Sequence, residues 1–212
     1  MAVEEHFSAI SRAIGNPNRI KILWLLCQTE HSVDQLTRKT DISFANVSQH
    51  LQSMKYNGIV ENRKDRNRVI YRLADESVID MLVAVQNVAR IRFPVVDHQV
   101  YQNASGNKIE TIHPEKAWEL LRNDTAMVAD ARPAEEYNGG HIPGAVSIPA
   151  DEADYKHIAN LELKNPLIIY GRHAFCELPE LLFPYLQYNE LHPLRLEGGM
   201  PEWFYGGWPI AG

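Results

Sequence analysis

The sequence predicts two domains in tandem. A mainly α domain closed by a β-hairpin occupies residues 1–93, a linker spans 94–110, and an α/β domain on a mainly parallel sheet fills 111–212. Three observations carry this reading. A chain of 212 residues is long enough for two domains, since about 100 residues suffice for one with its own core. Charge changes sign along the chain: residues 1–93 hold 13 Lys/Arg against 10 Asp/Glu, whereas residues 94–212 hold 8 against 17, together giving the net −6. The apolar pattern changes too, from helical spacing to short buried strands alternating with helices.

The basic first part suggests that it, and not the acidic second part, meets a polyanion. No apolar run reaches the ~18 residues of a membrane span, and "MAVEEHFSAI" carries acids where a signal peptide carries positive charge. A soluble, cytoplasmic protein without membrane contact is expected. Cys27 and Cys176 lie far apart and outside any metal-ligand spacing, so neither a disulfide framework nor a metal site nor a cofactor is expected.

In the first domain, Val3, Phe7, Ile10 and Ile14 have helical spacing, and "GNPNR" ends that helix. Asn16-Pro17 then starts a second helix with Ile20, Leu23, Trp24 and Cys27 on one face, which makes Cys27 a core residue. Ser32 caps a third helix through Lys39, and "TDIS" makes a turn. Ser43 caps a fourth helix that runs to about Asn57 and stops at Gly58. Val47, Leu51 and Met54 form its inward stripe, leaving Phe44, Asn46, Ser48, Gln49, His50 and Gln52 outside. Two helices joined by a tight turn, the second faced with amides, hydroxyls and an imidazole, is a helix-turn-helix arrangement. Asn and Gln suit base edges because one amide offers both a donor and an acceptor. An ordinary solvated helix has the same composition, and the adjoining segment separates the two. "IVENRKDRNRVIYRLA" reads as a hairpin with Arg63, Lys64, Arg66 and Arg68 at its tip, a wing placed to grip phosphates beside the groove.

Residues 1–92, through "GNPNRIKILWLL", "SVDQLTRKTDISFANVSQHLQSMKYNGIV" and "NRVIYRLA", resemble the ArsR-type winged-helix repressors. The resemblance implies a homodimer on a palindromic double-stranded DNA operator, with Ser43, Asn46, Ser48, Gln49 and His50 on the recognition helix; operator binding is expected over Ser43 to Gln52. It further implies that a helix at "DESVIDMLVAVQNVARIR", with an apolar stripe of Val78, Met81, Leu82, Val85 and Val88, pairs with the first helix across the dimer. Where members of the family sense metals through a Cys-x-Cys, this chain has Ser32 and Asp34, so that site is not expected. His31, Asp34, Asp97 and His98 make only a scattered set. Sensing through paired thiols lacks a second cysteine among residues 1–93.

In the second domain, Pro114 starts a helix carrying Ala117, Trp118, Leu120 and Leu121. "AMVADA" is a buried strand, Pro133 to Tyr137 a short helix, Pro143-Gly144 a turn, and "PLIIYG" another buried strand. The stretches "VADARPAEEYNGGHIPGAVSIP", "LIIYGRHAFC" and "LEGGMPEWFYGGWPI" are similar in order and spacing to a rhodanese domain, from about Thr111 to Gly212. That family implies sulfur transfer through a cysteine at the first position of the loop, held as a persulfide by inward backbone amides and a helix start. Here that position is Gly171, so the domain is expected to be inactive as a sulfurtransferase. Cys176, the sixth loop residue, is expected in the first turn of the next helix, either as a thiol acidified there or as a small apolar plug under the loop. Arg172 and His173 line the mouth, where they would bind an anion or stand solvated. Three readings of the loop stay open: an anion or effector pocket, thiol chemistry moved to Cys176, or an altered form of a Cys-bearing protein. The function expected is a DNA-binding repressor whose second domain senses or scaffolds rather than turning over sulfur, with a sulfur species or an anion as the effector. A sulfurtransferase or thiol-redox enzyme using Cys176 is the alternative.

Overall fold

The computed structural model describes residues 2–93, 109–151, 163 and 166–212. Most of the linker expected at 94–110, with Asp97 and His98, lies outside the described residues. The chain forms two compact units, Met1–Leu82 and Val83–Gly212, so the division falls inside a helix.

In the first unit, α1 (Val3–Ile14) is followed by α2 (Pro17–Leu26). Asn16 caps α2: its Oδ1 accepts from the backbone N–H of Asn18 at 2.9 Å and of Arg19 at 3.3 Å, and Pro17 at the first position needs no such partner. All five residues Ile22 to Leu26 are buried, because α2 packs against elements on more than one side. Cys27, expected in the core, is only half-buried, since it lies just past the end of α2. Then come β1 (His31–Ser32), α3 (Val33–Thr40) and α4 (Phe44–Tyr56). Ser32 and Gln35 form a reciprocal capping box at α3, and Ser43 Oγ accepts from Asn46 N–H at α4. Gly58, at φ +69, turns the chain out of α4 in a conformation that costs other residues a steric clash. Strands β2 (Val60–Asp65) and β3 (Arg68–Leu73) pair antiparallel from Val60↔Leu73 to Asp65↔Arg68, and β1 adds to β3 opposite Tyr71 and Ile70. Leu23, Leu36, Val47, Leu51 and Met54 close the core.

Helix α5 (Ser77–Arg92) divides the stripe expected of it between a buried and an exposed face. Val78, Leu82, Val83 and Gln86 are buried, Met81 is half-buried, and Val85, Val88 and Ile91 stand exposed in the single chain. The buried face is thus turned by one position from the purely apolar one, and it includes a carboxamide.

The second unit is a five-stranded sheet in the order β4-β8-β7-β5-β6, parallel at every pairing. Its elements are β4 (Thr111–Ile112), α6 (Pro114–Arg122), β5 (Met127–Asp130), α7 (Ala134–Asn138), β6 (Val146–Ser147), β7 (Leu167–Gly171), α8 (Leu178–Tyr188), β8 (Pro193–Gly199) and α9 (Met200–Tyr205). Strand β7 is buried along its length, and the twofold alternation of a strand divides its side chains between two cores. Leu167 and Ile169 pack with Ala129, Leu182 and Leu186; Ile168 and Tyr170 pack with Ala117, Val128 and Trp203.

A buried polar knot joins the ends of β5 and β7. Asp130 accepts from Arg132 Nε at 3.0 Å, from the second guanidinium nitrogen at 2.6 Å and from the Tyr170 hydroxyl at 2.5 Å. Arg132 also donates to the Gly140 carbonyl at 2.7 Å, and Tyr170 accepts from Ile142 N–H at 3.2 Å. Burial, followed by the Asp130 charge, raises the Tyr170 pKa well above its ordinary value, so the phenol stays a donor. Removing the carboxylate strands a guanidinium that is 1% exposed. Asp130→Ala is therefore expected to cost about 3–5 kcal/mol, and Tyr170→Phe less, about 1.5–3 kcal/mol; urea midpoints at constant m-value measure both.

Candidate nucleic-acid interface and the Gly171 loop

In the first unit, α4 presents Ser43, Asn46, Gln49 and Gln52 to solvent, with Phe44 also exposed. Ser48 is half-buried and its Oγ accepts from Gln52 Nε2 at 3.5 Å. His50 is half-buried as well, and its Nδ1 lies 3.5 Å from Arg19 Nε. Arg19 also donates to the carbonyls of Arg12 and Ala13, each at 3.1 Å, so one guanidinium ties the end of α1 to α4. Partial burial, then the charge of Arg19, lowers the His50 pKa, which keeps the ring neutral as an acceptor. His50 thus holds α4 in place with a nitrogen that an outward-facing ring would have offered to DNA.

The basic residues of the wing separate into two groups. Arg63, expected at the tip, lies opposite Ile70 within the ladder and forms a bidentate ion pair with Glu30. Lys64, Arg66 and Arg68 stand exposed around the turn, where Arg66 adopts φ +52. Lys55 Nζ donates to Asn62 Oδ1 at 2.6 Å, linking the end of α4 to the hairpin. Exposed amides on one helix and exposed cations on an adjoining hairpin are the two kinds of group that read base edges and hold phosphates.

In the second unit, the loop 172–177 leaves β7 at Gly171 and enters α8 at Leu178. Its interior is filled by the protein itself. Ala174 N–H donates to Glu202 Oε1 at 3.0 Å, Phe175 N–H to His173 Nδ1 at 3.2 Å, and Cys176 N–H to the His173 carbonyl at 3.0 Å. Arg195, 2% exposed, donates to the carbonyls of Ala174 at 2.6 Å and Cys176 at 2.9 Å and pairs with Glu180. Each of these three amides thus has an acceptor within the protein.

Cys176 is buried and precedes α8, whose N-cap is Glu177, so it does not sit in the helix's first turn. A Cβ built on Gly171 would lie 2.8 Å from Cys176 Sγ, 3.1 Å from its Cβ and 3.0 Å from Pro179 Cδ. The thiol of residue 176 fills the space beside residue 171 that a side chain there would need. Gly199 faces the loop from the other side. A Cβ on it would come within 2.5 Å of the Gly171 carbonyl oxygen and of His173 N, contacts that backbone cannot yield.

Neither mouth residue is a ready anion ligand. The Arg172 guanidinium is bidentate to the fully buried Glu136 carboxylate, at 2.7 to 3.0 Å. Burial first, then the charges of Arg172 and Arg195, depress the His173 pKa from 6.5 to about 4, so its ring is neutral near pH 7. Arg195, Glu136 and Glu202 bond to residues of the loop, and none of the three stands out in the sequence as a site residue. The nearest signal is Glu202 three residues after Gly199, a capping-box spacing. Among the described residues no group of three or more His, Cys, Asp or Glu is placed to hold a metal, and no helix is long and apolar enough to cross a membrane.

The neutral His173 ring makes stability depend on pH. Below pH 6.5 the unfolded chain protonates His173 while the folded chain does not. Stability is then fully present above pH 6.5 and declines as pH falls toward about 4. His173→Phe is expected to flatten the fall in unfolding midpoint across that window, measured by urea titration at several pH values.

Similarity to known proteins divides along the two units. The bacterial regulatory protein arsR family matches residues 16–62, and the rhodanese-like domain matches residues 113–205. The HTH-type transcriptional regulator Rv0324 of Mycobacterium tuberculosis is 33% identical over 99% of this chain and 92% of its own length. The HTH-type transcriptional regulator YgaV of Escherichia coli is 32% identical over 41% of this chain and 89% of its own. Among solved structures, the homodimeric winged helix-turn-helix DNA-binding domain of Mb0332 from Mycobacterium bovis is 32% identical, covering 43% of this chain and 84% of that one, with a TM-score of 0.41. Family matches in both halves and end-to-end similarity to one regulator agree: the chain is an ArsR-family DNA-binding transcriptional regulator that carries a rhodanese-like domain.

Proposed function

We propose that this chain is a homodimeric repressor whose rhodanese-like domain senses an effector and does not turn over sulfur. The observation that carries the first half is the joint exposure of Asn46, Gln49 and Gln52 on α4 and of Lys64, Arg66 and Arg68 on the wing. The helix reads base edges, and the wing neutralises phosphates beside it. Glu30 and Arg19 act behind this surface, fixing Arg63 and His50 so that helix and hairpin keep one spacing. Homodimerisation is what membership of the ArsR family implies, and the exposed Val3 and Phe7 of α1 and Val85, Val88 and Ile91 of α5 support it. These apolar groups gain free energy when a second copy removes them from water.

The second half rests on the loop. Sulfur transfer requires an accessible thiolate at the focus of unpaired donors. Gly171 supplies no nucleophile, Cys176 is buried, and the amides of Ala174, Phe175 and Cys176 are already bonded. The domain therefore acts through its conformation, with a sulfur species or another small anion as the effector class.

Titration of the protein's own upstream DNA tests the reading. Specific binding is expected, released or strengthened by thiosulfate or polysulfide. Arg66→Glu with Arg68→Glu is expected to weaken binding at every sequence and to make the dependence on salt shallower by about 1 for each phosphate no longer neutralised. Absence of specific binding, or an unchanged salt slope in the double variant, would overturn the assignment of α4 or of the wing.

A further inference from the structure

We propose that the Glu202 carboxylate, with Gln86, joins the closed state of the loop 172–177 to the C-terminal part of helix α5, so that opening one loosens the other. This rests on the reading of the domain as a sensor and gives it a mechanism. Three donors from three segments of the second unit converge on this one side chain. Gln86 Nε2 on α5 donates to Oε1 at 2.7 Å, Ala174 N–H in the loop donates to the same oxygen at 3.0 Å, and Gly199 N–H at the end of β8 donates to Oε2 at 2.8 Å.

Gln86 is 5% exposed, and its own carbonyl oxygen is buried without a hydrogen-bond partner among the described residues. A buried acceptor left unpaired is destabilising, so packing alone favours an apolar side chain here. What the carboxamide contributes at this position is its charge-assisted bond to Glu202. The loop depends on the same carboxylate, because Ala174 N–H has Glu202 as its acceptor.

Any small oxyanion that draws on the Ala174 amide must displace the like-charged Glu202 carboxylate, and the acceptor of Gln86 moves with it. Thiosulfate and sulfate are of this class. Coupling of this kind is reciprocal: whatever loosens Gln86 must loosen the loop to the same extent in free energy. Helix α5 begins at Ser77, in the first unit, and continues to Arg92, in the second.

Hydrogen exchange on the full-length chain, followed by mass spectrometry at peptide level, tests the link without DNA. Gln86→Met keeps helix propensity and volume but removes the donor. It is expected to speed exchange of the peptide covering 172–177 about tenfold, while the peptide covering Leu167–Gly171 keeps its protection. Glu202→Gln is expected to speed exchange in both 172–177 and 83–92. Loop exchange unchanged in Gln86→Met, or 83–92 unchanged in Glu202→Gln, would overturn the proposal. If one variant unfolds the chain, the other decides. Because the readout is exchange, a negative result leaves operator binding standing, and a failure to bind operator leaves this link standing.

Discussion

A side chain at residue 171 and the present position of Cys176 exclude each other, and the arrangement of the rhodanese-like domain around its loop depends on that. The thiol lies 2.8 Å from where a Cβ on residue 171 would sit, closer than real contacts allow. With glycine there, Cys176 folds inward, and Arg195 from β8 grips the carbonyls on either side of Phe175. Glu202 then takes the Ala174 amide, and Gly199 lets the loop backbone lie directly on the end of the sheet. The result is a loop in which the amides of Ala174, Phe175 and Cys176 and the carbonyls of His173, Ala174 and Cys176 are bonded within the protein. That is a poor state for receiving sulfur and a suitable one for a two-state element, since a closed loop can be opened only by a ligand that prefers the open form.

The first unit solves a different problem with similar means. A recognition surface needs polar groups at its exterior and rigid support behind them. Arg19 joins α1 to α4 through His50, Glu30 holds Arg63 within the hairpin, and Lys55 reaches Asn62 across the junction of helix and wing. Charged and ring groups that composition alone assigns to DNA thus include some that bond within the first unit. The difference is one of partner: Arg63 is exposed like Arg66 and Arg68 but forms a bidentate ion pair with Glu30.

Where local chemistry determines the structure, the sequence is legible. Asn16, Ser32 and Ser43 announce three helix starts, and each caps as expected. Val47, Leu51 and Met54 announce the buried face of α4, and the fully apolar "LIIY" announces a central parallel strand. Both family resemblances carry the fold and the class of function. Long-range pairing is not legible. Strand β1 is two residues long and exists only because β3 lies beside it. The α5 stripe reads as apolar throughout, yet Gln86 is buried, because its partner Glu202 is 116 residues away. From the sequence the loop keeps three readings open: an anion or effector pocket, thiol chemistry at Cys176, or an altered form of a Cys-bearing protein. Its closure depends on Arg195 and Glu202, which nothing in "GRHAFC" announces.

Whether the loop is closed to sulfur is measured by intact-protein mass spectrometry after incubation with thiosulfate and with polysulfide. The chain is predicted to keep its mass with thiosulfate, and any sulfur added by polysulfide is predicted to map to the half-buried Cys27. Addition of a sulfur atom to Cys176 in the folded protein would show instead that the loop is open to sulfur, with the buried thiol reached, activated and able to carry it.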